Sequence, residues 1–443
     1  MLGTADSPSD NSAGGPPNII FILVDDQAPG SLGFEGNPHV RTPRLDRMAE
    51  QGAYFSRAYL PIPQCAPSRA ALLTGLYPQQ NGVLSNEGGR LGPDAVTFPE
   101  LLKKSGYACG LVGKWHLERE RRSQCGFEDM WVTLPLPPSY QDPHLWVDRA
   151  LVPHQGYVTD ILTDYAIRFV EDQRGGPFFL WLAYRAPHLA RITPPAERFA
   201  CDRSALRWPE SMADDLSTKP AAQRASKPHE LFKTSGLKWI RDRRSVYYAA
   251  VSSLDYNIGR LMDRVEALGL KERTLVVFMS DNGVLFGEHQ MYFKGPVLYE
   301  ELVRTPLILY WPGRIDPGTR GDALVSSLDL FPTVCGLAGI SAPEGLPGRD
   351  IFDLLSGASP TLHEALFLQY NAQKMGGTRT PLRGVVTPGH KYVTYLNDGE
   401  ELYDLKDDPH EMRNLIDDPE HQEIADSLKR RLADWRAETG DTP

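Results

Sequence analysis

Cysteine is scarce in this chain. Five thiols in 443 residues, Cys65, Cys109, Cys125, Cys201 and Cys335, are too few and too scattered for a disulfide scaffold, and none stands in the Cys-x-x-Cys spacing of a structural zinc site. The odd count leaves at least one of them unpaired within the chain. No apolar run approaches the ~18 residues of a membrane span, so a chain that stays out of the bilayer is expected. The first seventeen residues, "MLGTADSPSDNSAGGPP", lack the apolar stretch of a signal peptide and read as a disordered lead-in. Compartment stays open: periplasmic or secreted if a signal has been removed, otherwise cytoplasmic. Excess positive charge is also missing. Lys and Arg number 47 against 57 Asp and Glu, a formal charge of -10 that argues against nonspecific nucleic-acid binding and requires any anion site to be built locally. There is no solenoid-like internal repeat. With 41% hydrophobic and 23% charged residues, neither wholesale disorder nor a fibrous repeat fits, and the length favours a large α/β domain with a smaller appendage.

What is present is a repeated grammar of apolar strands ending in polar tips. "NIIFILVDDQ" is rich in β-branched residues and stops at Asp25 and Asp26, as a buried parallel strand would. "ACGLVGKWH" ends at Lys114 and His116, "FFLWLAYRAPH" at His188, and "TLVVFMSDNG" at Asp281 and Asn282. In open α/β sheets ligands bind outside the carboxyl ends of the strands, so these four tips are expected to share one crevice. "SVYYAAVSSLDYNIGRLMDRVEALG" carries Tyr247, Val251, Leu254, Ile258, Leu261 and Val265 at helical spacing and is expected to stop at Gly269. Residues 119 to 157 and 201 to 238 lack sustained periodicity and read as long surface excursions. After about residue 360, "EALFLQY", "PLRGVVTP", "HKYVTYL" and "ELYDL", followed by "HQEIADSLKRRLADWRAE", predict a small antiparallel sheet with a terminal helix.

The stretch "PQCAPSRAALLTG" holds the chemistry. Proline suits the first turn of a helix and Gly75 suits its end, which sets Cys65 just before the helix N-terminus. Free N–H groups and the helix dipole favour an anion there, and Arg69 adds a planar fork of donors, so the place suits a sulfate or phosphate. Cys65 itself has three readings: a buried structural cysteine, a low-pKa thiolate nucleophile, or a residue that is modified. Asp25, Asp26, Asp281 and Asn282 offer hard oxygen ligands suited to Ca²⁺ or Mg²⁺, beside the simpler reading of strand-end capping.

"CAPSRAALLTG" resembles the signature of the type I sulfatases, the formylglycine-dependent branch of the alkaline phosphatase-like superfamily. "NIIFILVDDQ", "GYACGLVGKWHL", "SDNGVLFGEHQMYFKGPVLYEELVRTPLILYWPG" and "ELYDLKDDPHEMRNL" resemble segments of the same family in the same order, so the likeness runs over roughly residues 18 to 416. It implies a large, mostly parallel central sheet flanked by helices over 18–359, following the 1–17 lead-in, and a C-terminal subdomain of antiparallel sheet plus helix over 360–443. It also implies that Cys65 is oxidised to formylglycine by a formylglycine-generating enzyme acting as a transient partner. Ca²⁺, with Mg²⁺ as the alternative, would then be held by Asp25, Asp26, Asp281, Asn282 and the modified residue.

By the same resemblance, Arg69, Lys114 and Lys294 would offset the charge of the ester. One hydroxyl of the hydrated aldehyde would attack sulfur with help from Asp281. His188 or Lys294 would assist the leaving oxygen, and His116 would take the proton that lets sulfate depart. Ala190 stands where the family often carries proline. His289 also resembles a family position, either structural or facing substrate. Trp115 and Tyr292 are candidates for the pocket wall or the core, and "ERERR" at 118–122 reads as a solvated face. A sulfated carbohydrate, such as a glycosaminoglycan or algal fragment, is the expected substrate, with aryl sulfates as model compounds. The rival functions are a phosphomonoesterase or phosphonate monoester hydrolase on the same scaffold, and a noncatalytic sulfated-glycan binder whose cysteine is never converted.

Overall fold

Asn18–Asp25 forms β1, buried at every position, with Ile20, Ile22 and Val24 in one apolar cluster and Ile19, Phe21 and Leu23 in another. Alternating side chains therefore bury on opposite faces, which makes β1 the centre of a sheet covered on both sides. The computed structural model describes residues 15–442 apart from 119–120, 136–138, 189–193, 195–198, 372–379 and 397. Most of the expected lead-in, part of "ERERR" and the Ala190 position lie outside the described residues.

Twelve further strands follow: β2 (Ala53–Tyr59), β3 (Ala108–Gly113), β4 (Met130–Thr133), β5 (His144–Val147), β6 (Ala150–Pro153), β7 (Phe178–Pro187), β8 (Thr274–Ser280), β9 (Leu285–Phe286), β10 (Tyr292–Phe293), β11 (Arg304–Tyr310), β12 (Thr319–Gly321) and β13 (Val325–Ser326). All but the β9–β10 ribbon join β1 in an eleven-stranded sheet of order β12-β2-β11-β8-β1-β7-β3-β4-β5-β6, with β13 beside β2. β1 pairs in parallel with β7 and β8, and β3 with β7, so the four predicted polar tips leave the same edge of the sheet. β11 runs antiparallel to both of its neighbours.

One face is covered by helices Val158–Gln173 and Leu237–Ala267, the other by Cys65–Thr74, Phe98–Lys104 and Leu330–Leu337. The predicted apolar stripe from Tyr247 to Val265 is buried, and Gly269, at φ 68°, follows the helix end. That helix starts eight residues before the quoted pattern, at Leu237. The stretch 119–157 was expected as a surface excursion; instead it contributes β4, β5 and β6 to the sheet edge. Strands this short gain their order by pairing, β4 on β3, β5 on β4 and β6 on β5, a tertiary effect that sequence periodicity does not carry.

The C-terminal strands β14 (Leu366–Tyr370), β15 (Leu382–Val386), β16 (His390–Tyr395) and β17 (Gly399–Asp404) form an antiparallel meander, followed by helix Gln422–Thr439. Val385, Tyr392 and Leu402 pack against Leu428, Leu432 and Trp435 of that helix. The opposite face meets Tyr59, Leu298 and Val303 of the large sheet's surroundings. Among the described residues no helix is long and apolar enough to cross a membrane.

Candidate active site

The carboxylates, Lys114 and the two histidines of the site sit at or just past a strand end, where the last buried position hands the chain to a turn, while Cys65 and Arg69 lie in the helix Cys65–Thr74. Asp25 is the last residue of β1, and Asp26 takes a left-handed backbone with φ 66°. His116, beyond β3, does the same with φ 65°. Such conformations cost of order 1 kcal/mol for a residue with a Cβ and persist where the surroundings over-determine them. Gly113 allows the approach: a Cβ there would lie 1.9 Å from the carbonyl oxygen of Ala183 on β7. Gly283, just past Asn282, is equally constrained, with Glu301 O at 1.7 Å from the same notional atom.

Cys65 is the first residue of its helix rather than the residue before it, and it is only 1% exposed. Its surroundings are charged rather than apolar. Sγ lies 3.4 Å from Asp25 Oδ1, 3.8 Å from Asp26 Oδ1 and 2.9 Å from Lys294 Nζ. Burial and the Asp281 carboxylate push the thiol up to about 12, which weighs against the thiolate reading of Cys65.

The cations are each tied to a carboxylate. Lys114 donates to Asp25 Oδ2 at 2.7 Å, Lys294 to Asp26 Oδ1 at 2.5 Å, and Arg69 to Asp281 Oδ2 at 2.9 Å from Nε, with a second nitrogen at 2.8 Å. Arg69 also donates to the carbonyl of Lys114 at 2.7 Å, which locks the helix to the end of β3. Asp281 further accepts the backbone N–H of Asp26 at 3.2 Å, and Asn282 donates to Asp26 Oδ1 at 2.5 Å. Burial works to raise the Asp25 carboxyl, but the Lys114, Arg69 and Lys294 charges overturn it and hold the group well below the usual carboxylate range. For Asp26 and Asp281 burial wins and both lie above that range, each facing Asp25 as a like charge.

His188 places Nε2 3.5 Å from Asp26 Oδ2. Burial lowers it to about 3, and His116 falls to about 2 through burial and the Lys114 and Arg69 charges, so both imidazoles are neutral. Nδ1 of each is buried without a hydrogen-bond partner. Tyr140 was not anticipated. Its hydroxyl donates to the carbonyl of His188 at 2.6 Å and holds the turn that carries the imidazole. It lies in the stretch 119–157, which offered no motif to find it by.

Other candidates leave the site. His289 is buried, donates from Nδ1 to Asp214 Oδ2 at 2.8 Å, and stacks on Tyr299 with ring centres 3.6 Å apart. Trp115 packs among Phe127 and Trp131, and Tyr292 against Trp239 and Phe286, which makes both core residues. In the basic run, Arg121 lies 4.7 Å over the Trp146 ring.

One buried carboxylate oxygen, Asp26 Oδ2, has no hydrogen-bond partner, and donor atoms of Asp25, Asp26, Cys65 and His188 all lie within 4.8 Å of one another. An orphaned oxygen in a cluster of carboxylates fits a hard divalent cation.

Residues 17–340 match the family model described as Sulfatase, and residues 287–438 match N-sulphoglucosamine sulphohydrolase, C-terminal. The chain belongs to the sulfatase family. An ulvan-active sulfatase of Formosa agariphila is 30% identical over 440 residues, covering 96% of this chain and 82% of the relative. An N-acetylglucosamine-6-O-sulfatase of Bacteroides thetaiotaomicron is 28% identical over 491 residues, covering 96% and 87%. A solved structure of a protein in complex with its substrate D-glucosamine-2-N,6-O-disulfate superposes with a TM-score of 0.87 at 28% identity, covering 96% of this sulfatase and 99% of the other chain. The fold is the alkaline phosphatase-like α/β architecture, and the enzyme is a sulfuric ester hydrolase.

Proposed function

We propose that this sulfatase hydrolyses a sulfate monoester on a carbohydrate, with Cys65 as the precursor of a formylglycine and with Ca²⁺ or Mg²⁺ held by Asp25, Asp26, Asp281 and Asn282. The observation that carries the reading is the convergence on Cys65 Sγ of Asp25 at 3.4 Å and Lys294 at 2.9 Å, from segments far apart in sequence. The carbohydrate assignment draws on the relatives, whose named activities concern N-acetylglucosamine and ulvan sulfates.

The divalent ion would supply Lewis-acid polarisation of a sulfate oxygen. Formylglycine would supply paired hydroxyls on one carbon, one to attack sulfur and one to let sulfate leave. The chain's own residues do the rest. Arg69 and Lys114 fix the Asp281 and Asp25 carboxylates, so the liganding oxygens are oriented before substrate arrives. Lys294, whose ammonium already lies against Sγ, faces the place where negative charge gathers on the sulfate oxygens. His188 stands beside Asp26; an anionic substrate that offsets the Lys294 and Lys114 charges would let its ring take up the proton that it hands to the departing alcohol. His116 can receive one, because an anionic substrate between Lys114 and Arg69 offsets the charges that now lower its proton affinity.

The test is release of sulfate from a 6-O-sulfated hexosamine, with and without added Ca²⁺, against the matched phosphate ester. Faster turnover of the sulfate supports the reading; faster turnover of the phosphate overturns it. Mass measurement of the tryptic peptide from Ala58 to Arg69 separates a converted Cys65 from the unconverted binder.

A further inference from the structure

Three cations at the site are answered by carboxylates, and a fourth is not. Arg185 lies in β7 three residues before His188 and is half-buried. Its guanidinium carbon stands 5.4 Å over the ring of Tyr140. Its Nε is shut off from solvent without a hydrogen-bond partner, and among the described residues no carboxylate lies within ion-pair distance of it. Burying part of a guanidinium without an anion is unfavourable, and an unpaired buried donor calls for a physical reason.

The backbone around it is held firmly. Tyr140 Oη reaches the carbonyls of Arg185 at 3.2 Å and His188 at 2.6 Å, and the N–H of His188 returns to the carbonyl of Arg185 at 3.1 Å. One tyrosine therefore fixes the turn that carries His188 and offers its ring face to Arg185, so the two side chains keep a set relation. No hydrogen bond or ion pair joins Arg185 to Asp25, Asp26, Cys65 or Lys294 among the described residues.

We propose that Arg185 is a substrate-binding residue that grips a second anionic group of the saccharide, a sulfate or a uronate carboxylate other than the sulfate being cleaved. This rests on the sulfated-carbohydrate reading of the site. A planar fork stacked on an aromatic ring is preorganised for a bidentate oxyanion, and lysine would keep the charge while losing the fork.

The experiment compares three probes: a 6-O-sulfated glucosamine, the same sugar with an added 2-N-sulfate, and a 6-O-sulfated hexosamine linked to a uronic acid. For the wild type, kcat/KM is expected to be higher on whichever dianionic probe presents its second charge to Arg185, which distinguishes sulfate from carboxylate. Arg185→Ala should lower that preference by about ten- to a hundredfold, mainly through KM, with partial recovery in Arg185→Lys. An equal fall in kcat on all three probes would show that Arg185 only supports the His188 turn, and an unchanged preference would show that it meets no anion. Either result overturns the proposal, as does a wild type indifferent to the second charge. Calorimetric affinities of the same probes for the Cys65→Ala chain, with and without Arg185→Ala, read the preference without turnover. Failure of the sulfatase reading would appear separately, as no sulfate release by the wild type from any probe.

Discussion

Around Lys391 and around Lys294 the chain buries the same kinds of charge, with opposite results. Lys391 lies in β16, beneath the small sheet. Its ammonium donates to Leu298 O at 2.7 Å and stands 3.0 Å from Glu300 and 2.6 Å from Glu411. Glu300 accepts from Tyr59 at 2.8 Å, and Glu411 accepts the backbone N–H of Glu300 at 2.7 Å. Nearby, Lys219 meets Tyr403 at 2.7 Å, and Gln223 bridges Tyr299, Tyr395 and Glu401. These charges close on one another and tie the small sheet to the large one. Glu411 Oε1 makes no hydrogen bond but is answered by the Lys391 ammonium at 2.6 Å, whereas around Lys294 the pairs form and Asp26 Oδ2 and Nδ1 of both His116 and His188 are still left over about one point. Buried charge is therefore no mark of a catalytic site on its own; unspent valence facing a shared point is the better sign.

The largest expected effect tests that distinction directly. Cys65→Ala should lower kcat/KM on a sulfate ester by at least about 10⁴-fold. It should change the unfolding free energy by no more than about 1 kcal/mol, since the thiol lies among charged groups rather than in apolar packing. Sulfate release and urea melts on the same preparation read both quantities. A loss of stability as large as that at Lys391 would erase the comparison.

Lys391→Met should do the reverse. It leaves Glu411 without its cation and Glu300 with only Arg304 at 3.5 Å, and breaking a buried pair costs about 3–5 kcal/mol in systems of this kind. The urea midpoint is expected to drop sharply, while the molecules that remain folded keep their kcat. A variant as stable as the wild type would mean that water reaches these carboxylates.

The effect of pH is smaller and separates the regions by titration. Burial holds His289 at about 4, against 6.5 for a free imidazole, despite its bond to Asp214. Its folded proton affinity is depressed, so the stability it brings is complete above pH 6.5 and is lost as pH falls from there toward 4. The loss amounts to roughly 3 kcal/mol for one such group. Comparing urea midpoints at pH 7 and pH 4.5 for the wild type and His289→Asn measures it: the variant should show a shallower decline. An identical slope would assign the acid sensitivity to other groups.

Much of this was legible in the sequence, and the parts that were not have physical reasons. The four apolar runs ending in Asp25, Lys114, His188 and Asp281 announce buried parallel strands, because burial on both faces demands continuous hydrophobicity. "CAPSRAALLTG" announces a helix start and stop through Pro67 and Gly75, the latter at φ 68°. β4 to β6 were not legible, since four-residue strands borrow their order from a neighbour. Tyr140 escaped for the same reason: its hydroxyl acts on a turn forty-eight residues away, and nothing local marks it. That Cys65 is buried among charges rather than in apolar packing is not legible locally, because the groups enclosing it come from three other strand ends and from the loop bearing Lys294.

A divalent ion should act on one cluster and leave the other untouched. If Asp26 Oδ2 is a vacant ligand, adding Ca²⁺ to the chelator-treated chain stabilises it by RT ln(1 + [L]/Kd), about 2.7 kcal/mol at a hundredfold excess over Kd. Asp26→Asn removes a charge from the donor set and should abolish most of that gain. Glu300→Gln, although it too removes a buried carboxylate beside a lysine, should lower the starting stability and keep the response to calcium, because its oxygens are already occupied by Lys391 and Tyr59. Thermal melts of the three proteins across a calcium series, which require no turnover, decide the matter. Equal calcium responses in all three would locate the ion elsewhere, and with it would go the claim that leftover valence distinguishes the Lys294 cluster from the one around Lys391.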